Sequence, residues 1–111
     1  MLKMEFKLDE SKIKEANMYT PERIYAAIDD ASQRNGFKKM RTDDGSIIYQ
    51  GTNHRNDYAL FGRMITSLRK KDWFINNAVK WLWFNSDDGR NENDYHMEDL
   101  LYHYTKVKSK P

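Results

Sequence analysis

A chain of 111 residues is the size of one domain, enough for a single modest core and too short for two. Only 39% of it is apolar and 32% is charged, but 14% aromatic content argues against disorder, because each ring removes roughly 150–250 Å² from water. The formal charge of +2 carries no global signal for nucleic acid, and the lack of cysteine excludes disulfides, thiolate nucleophiles and cysteine-bound zinc.

Lys3 to Leu8 alternates, with Met4, Phe6 and Leu8 on one side, as a half-buried strand does. The charged stretch from Asp9 to Asn17 has room for one loose helical turn around Ile13. Thr20-Pro21-Glu22 is a helix start: Thr20 caps, Pro21 needs no donor at the first position, and Glu22 suits the positive end of the dipole. Ile24, Ala27, Ile28 and Ala31 follow at helical spacing, and Asn35-Gly36 supplies the exit, so a helix is predicted over 21–35. Residues 37–41 and 46–50 flank Thr42-Asp43-Asp44-Gly45 as a hairpin. Gly51 to Asn56 is a polar loop, and Asp57 is a candidate cap for a helix over 58–70 with Leu60, Phe61, Met64, Ile65 and Leu68 inward.

Lys71 to Ser86 holds the largest apolar mass, including Trp73, Trp81 and Trp83. Positions 74, 78, 81 and 82 form a helical stripe, whereas 79, 81 and 83 alternate like a strand. The expectation taken is a helix over 73–83, capped by Asp72. Residues 85–93 form an acidic turn-rich loop, and Asp94 would cap a last helix over 95–105 with Met97, Leu100, Leu101 and Tyr104 inward. The architecture expected is one α+β domain over 1–111, with a small antiparallel sheet (the N-terminal strand plus hairpin 37–50) packed against three to four helices. A frayed basic tail over 106–111 would follow. The predicted core is Phe6, Leu8, Ile24, Ile28, Phe37, Ile47, Phe61, Ile65, Leu68, Phe74, Trp81, Leu82, Leu100 and Leu101. No apolar run approaches the ~20 residues of a membrane span and Met1 opens no signal-peptide pattern, so a cytoplasmic protein without a membrane partner is expected.

Motifs that would carry catalysis are missing. On a single helix His96 and His103 would lie roughly 10 Å apart, too far to share a metal. Gly89 cannot be the glycine of a calcium loop, because that register puts Phe84 at the first ligand position. No serine elbow or glycine-rich phosphate loop occurs, so neither a metal, a cofactor nor an enzymatic activity is expected.

Charge is segregated instead. Residues 63–80 carry Arg63, Arg69, Lys70, Lys71 and Lys80 against Asp72, while 87–99 carry Asp87, Asp88, Glu92, Asp94, Glu98 and Asp99 against Arg90. Either these faces neutralise each other across the fold, or one of them steers a charged partner. The partner expected is a protein with a basic surface, bound by Asp87, Asp88, Glu92 and Asp94 with Trp83 or Phe84 as an aromatic anchor. The alternative is nucleic acid bound by Lys38, Lys39, Arg41, Arg69, Lys70 and Lys71, assisted by Arg55 and by stacking on Tyr49 or Tyr58. A homo-oligomer is a further expectation if Trp or Phe is left at the surface.

The segments MEFKLDE, YTPERIYAAID, DWF with VKWLW, NSDDG and EDLLYHY give the chain a resemblance to small uncharacterised accessory proteins of Gram-positive mobile genetic elements. The resemblance implies a context of plasmids, phages or conjugative elements. Proteins of this size there often inhibit host defence by binding, anti-CRISPR inhibitors of a defence nuclease among them. It implies no functional residue.

Overall fold

The computed structural model describes residues 1–111. Strand β1 (Leu2–Leu8) leads into helices α1 (Glu10–Ala16) and α2 (Pro21–Arg34), the hairpin β2 (Lys38–Arg41) and β3 (Ile47–Gln50), and helix α3 (Asp57–Leu68). One helical turn, α4 (Asp72–Ile75), then precedes β4 (Ala78–Asn85), β5 (His96–Asp99) and α5 (Leu100–Thr105). The strands form one antiparallel sheet in the order β2-β3-β1-β4-β5. The α+β class is as expected, with two more strands than the sequence suggested. No helix is long and apolar enough to cross a membrane.

The alternation in β1 organises the core. Leu2, Met4, Phe6 and Leu8 are all buried on one face. Cross-strand register places Tyr49 and Trp83 on either side of Met4, and Ile47 and Trp81 on either side of Phe6. Ile24 and Ile28 of α2, Phe61, Met64, Ile65 and Leu68 of α3, Phe74 of α4, and Leu100 and Leu101 of α5 join the same cluster. Thirteen of the fourteen predicted core residues are in it, and Leu82 is the exception. The helix starts are satisfied locally: Thr20 accepts a hydrogen bond from the Arg23 amide at 3.3 Å and Asp9 accepts one from that of Lys12 at 3.0 Å. Gly36 takes φ +78 after α2, the left-handed exit that glycine adopts without a Cβ clash.

Four local expectations are corrected. The helix over 73–83 is instead the single turn of α4 followed by an eight-residue strand. Asn76 and Asn77 make the break, where the Asn77 carbonyl accepts from the Asp9 amide at 2.8 Å and the Asn76 carbonyl from Lys12 Nζ at 2.6 Å. Beyond them Ala78 opposes Leu8, Val79 bulges out of the ladder, and Lys80 to Asn85 pair with β1 in continuous register. Second, the helix expected over 95–105 begins only at Leu100; Asp99 caps it, and Met97 lies exposed on β5. Third, α3 starts at Asp57, whose carboxylate turns back to Thr52 rather than capping. Fourth, the tail is docked at Ser109 and Lys110. The Lys110 amide donates to the Val79 carbonyl at 2.8 Å, and Ser109 Oγ donates to Asp99 at 2.6 Å while accepting from the Trp81 amide at 3.0 Å. The outer edge of β4 is thereby covered twice, by β5 along one half and by the tail along the other.

Strand β4 also turns a lysine into the structure. Lys80 is 7% exposed, and its ammonium donates to Glu5 at 2.8 Å, Asp44 at 2.8 Å and Ser46 Oγ at 2.9 Å. Three donors meet three acceptors, so the buried charge is fully satisfied. The Lys80 hydrogen bond, followed by those from Thr42 and Ser46, holds the Asp44 carboxyl well below the usual carboxylate range. Burial works against the Lys80 charge, but the bonds to Asp44 and Glu5 outweigh it and raise its pKa.

Lys80→Ala should therefore lower stability by about 3 kcal/mol in urea unfolding, since it strands Glu5 beside a cavity. The pH profile has two limbs. Asp44, with a depressed folded pKa, contributes fully above an unfolded pKa of about 3.9 and loses that contribution as pH falls through its folded value. Lys80, with a raised one, contributes fully below about 10.4 and loses it as pH climbs past its folded value. Unfolding midpoints across pH should fall off on both limbs in the wild type and more shallowly in Lys80→Ala.

Candidate functional site

Because β3 and β4 both run antiparallel to β1, their C-terminal ends emerge together beside Met1 and Leu2. The Gly51 amide donates to the Leu2 carbonyl at 2.8 Å and the Ser86 amide to that of Met1 at 3.0 Å. The polar loop 51–56 and the acidic loop 86–95 therefore sit side by side. Asn53, in the left-handed region at φ 64, joins them by donating from Nδ2 to Glu92 Oε1 at 3.0 Å.

The acidic loop is built from closed turns. The Gly89 amide donates to the Ser86 carbonyl at 2.9 Å and the Asp94 amide to that of Asn91 at 3.1 Å. Asn91 Oδ1 accepts from the Asn93 amide at 2.8 Å, and Asp94 Oδ2 from the Arg90 amide at 3.0 Å. Gly89 is pressed against Asp94, so that a Cβ would run into the Asp94 carbonyl oxygen. An open cleft of about 390 Å³ results, lined by Asn85, Asp88, Gly89, Asp94, Tyr95 and His96. A smaller one of about 160 Å³ lies between the loops, where His54, Arg55, Tyr58 and Asp87 meet.

The carboxylates of this end are not neutralised by the basic segment. Five ion pairs occur in the chain: Met1 with Asp87, Arg34 with Asp30, Lys39 with Asp29, and Lys80 with both Glu5 and Asp44. None joins residues 87–99 to residues 63–80. Asp87 meets the Met1 ammonium at 2.7 Å, whereas Asp88, Glu92, Asp94 and Glu98 have no cationic partner.

The two expected anchors part company. A strand sends successive side chains to opposite faces, so Trp83 turns into the core against Phe61 at 5.1 Å, with Tyr58 at its edge. Phe84 turns to the uncovered sheet face, edge-on to Tyr95 at 6.1 Å, beside Lys3 and Met97. Lys3 Nζ lies 4.2 Å from the centre of the Tyr95 ring. Phe84 remains at the acidic end; Trp83 is partly buried with its ring packed against the core, and Tyr95 is the neighbour that sequence reasoning missed. Its one signal was its position directly after Asp94.

The basic residues of the alternative site do not form one patch. Lys38, Lys39 and Arg41 lie on β2, at one edge of the sheet. Arg69, Lys70 and Lys71 follow α3, and Arg69 stacks over Tyr104 of α5, which packs on Trp81 of β4. Three strand spacings, about 14 Å, separate β2 from β4. Lys39 is already bound to Asp29 at 2.7 Å, and Tyr49 is fully buried with its hydroxyl on Asp29, so it stacks on nothing from outside. Arg55 is exposed, and Tyr58 is exposed with its ring edge-on to Trp83 at 6.5 Å. His96 and His103 fall on β5 and α5 rather than on one helix, and no three His or carboxylate side chains gather into a metal-sized cluster. The exposed large apolar residues are methionines, tyrosines and Val107, with no Trp or Phe among them.

No protein-family model, curated protein or solved structure matches the chain.

Gly89→Ala should force the acidic loop apart, because the neighbour it meets is backbone. A stability loss of about 1–2 kcal/mol is expected in urea unfolding. Amide chemical-shift changes should be confined to residues 86–96, with the core signals unmoved.

Proposed function

We propose that this chain is a non-catalytic binding protein that docks its acidic loop on the basic surface of another protein. The observation that carries this reading is the absence of a lysine or arginine partner for Asp88, Glu92 and Asp94 on a loop whose shape is set by its own turns. Unpaired carboxylates on a preformed loop lose little conformational freedom on docking and steer a cationic partner in. Phe84 and Tyr95 supply apolar area beside them.

The resemblance to accessory proteins of mobile elements suggests the kind of partner. A host-defence nuclease has a basic groove that otherwise takes nucleic acid, and an acidic loop competes for it in the manner of an anti-CRISPR inhibitor. The test uses purified guide-loaded CRISPR nucleases and measures target-DNA binding with and without the protein. Wild type should block DNA binding to one of them, less effectively as salt rises. The variant Asp87→Asn, Asp88→Asn, Glu92→Gln, Asp94→Asn should lose at least about tenfold in potency with a melting temperature close to wild type. Equal inhibition by that variant would refute the acidic-loop assignment, and no inhibition of any nuclease would refute the proposed partner class.

A further inference from the structure

The outer side of α3 carries a second charged surface, independent of the acidic loop. Ala59, Gly62, Arg63, Thr66, Ser67 and Lys70 line an open groove of about 660 Å³. Arg63 and Ser67 also border a groove of about 350 Å³ that reaches Arg34 and Asn35 at the end of α2. No carboxylate lines either groove. Arg34 is held by Asp30 at 2.9 Å, but Arg63 and Lys70 enter no ion pair. Arg63 and Ser67 stand one turn apart on α3, about 6 Å along the axis, and Lys70 follows in the turn after Leu68, its amide on the Ser67 carbonyl at 3.2 Å.

Gly62 sits in the middle of this surface. A glycine weakens a helix interior, and here nothing inside the fold requires it, because a Cβ would meet no atom within 4 Å. Its effect is to leave the helix backbone open to close approach from outside.

We propose that this face of α3 binds the sugar–phosphate backbone of duplex nucleic acid. Guanidinium, ammonium and hydroxyl groups without a carboxylate among them are the donor set that phosphates take. Ala59 is the one apolar residue of the larger groove, which offers an acidic protein helix no anchor there, although Ala31, Leu60 and Met64 line the smaller one. No aromatic ring lines it, which leaves the unpaired bases of a single strand nothing to stack on. The near-neutral total charge is no obstacle, since the carboxylates of residues 87–99 line neither groove.

The test is fluorescence anisotropy of a short labelled DNA duplex of mixed sequence, titrated with the full chain from about 50 mM salt upward. Saturable binding that weakens with salt is expected, tighter than to the matching single strand or to poly-glutamate. Arg63→Ala with Lys70→Ala should weaken it at least about tenfold and reduce the log–log salt slope by about 2, one step for each phosphate no longer neutralised. Gly62→Leu should weaken binding at least about tenfold by filling the approach, while its melting temperature stays at or above that of the wild type. The acidic-loop variant should keep full duplex affinity, which separates this surface from the docking loop. No binding at low salt, wild-type affinity in both α3 variants, or preference for poly-glutamate or the single strand would overturn the assignment.

Discussion

Both edges of β1 must find partners, and most of the structure follows from how they do. A buried strand cannot leave its amides and carbonyls unpaired. On one side β1 takes β3 of the hairpin, and on the other the second half of the aromatic-rich segment as β4. Antiparallel pairing on both sides then brings the ends of β3 and β4 out together, which is why loops 51–56 and 86–95 are neighbours although about thirty residues of chain separate them. The candidate docking end is thus a consequence of sheet topology.

The same pairing sorts the charges. A one-residue slip of β4 would carry Trp81 out of the core and Lys80 into it, so the ammonium and its acceptors Glu5, Asp44 and Ser46 discriminate strongly between registers. Lys39 is likewise consumed by Asp29. The fold therefore uses lysines from two basic regions for its own cohesion, leaves Arg63 on α3 and Lys70 just beyond it outside any ion pair, and pairs the acidic loop with no lysine or arginine side chain. What remains is a molecule with unpaired carboxylates at one loop and unpaired cations along α3 and its exit, so that charge of opposite sign sits on two separate surfaces.

Elements with strong local signals were legible from the chain itself. Thr20-Pro21 and Asn35-Gly36 mark α2 because capping and left-handed exits are local chemistry. The alternation of Met4, Phe6 and Leu8 marks β1, and the apolar stripe of Phe61, Ile65 and Leu68 marks α3, because each needs only one buried face. The carboxylates of the acidic end were also visible as a run of like charge in a turn-rich loop. Their neighbours Asn53 and Tyr95 were not, since nothing local links residue 53 to residue 92.

Residues 73–105 divide the two kinds of information most clearly. The sequence by itself determined an apolar, aromatic segment, an acidic loop and a leucine-bearing terminus, and hence the class of the domain and nearly all of its core. It left the segment from Trp73 to Phe84 with two compatible periods. Only the tertiary structure decided between them, because the free edge of β1 rewards a strand there and intrinsic propensity is too weak to resist. With that decision Trp83 turned to the core face of the sheet and Phe84 to the opposite one, β5 formed on the new edge, and the tail found a carbonyl at Val79 to bind. Each of these outcomes depends on a hydrogen-bonding partner distant in the chain, which no local pattern of side chains encodes.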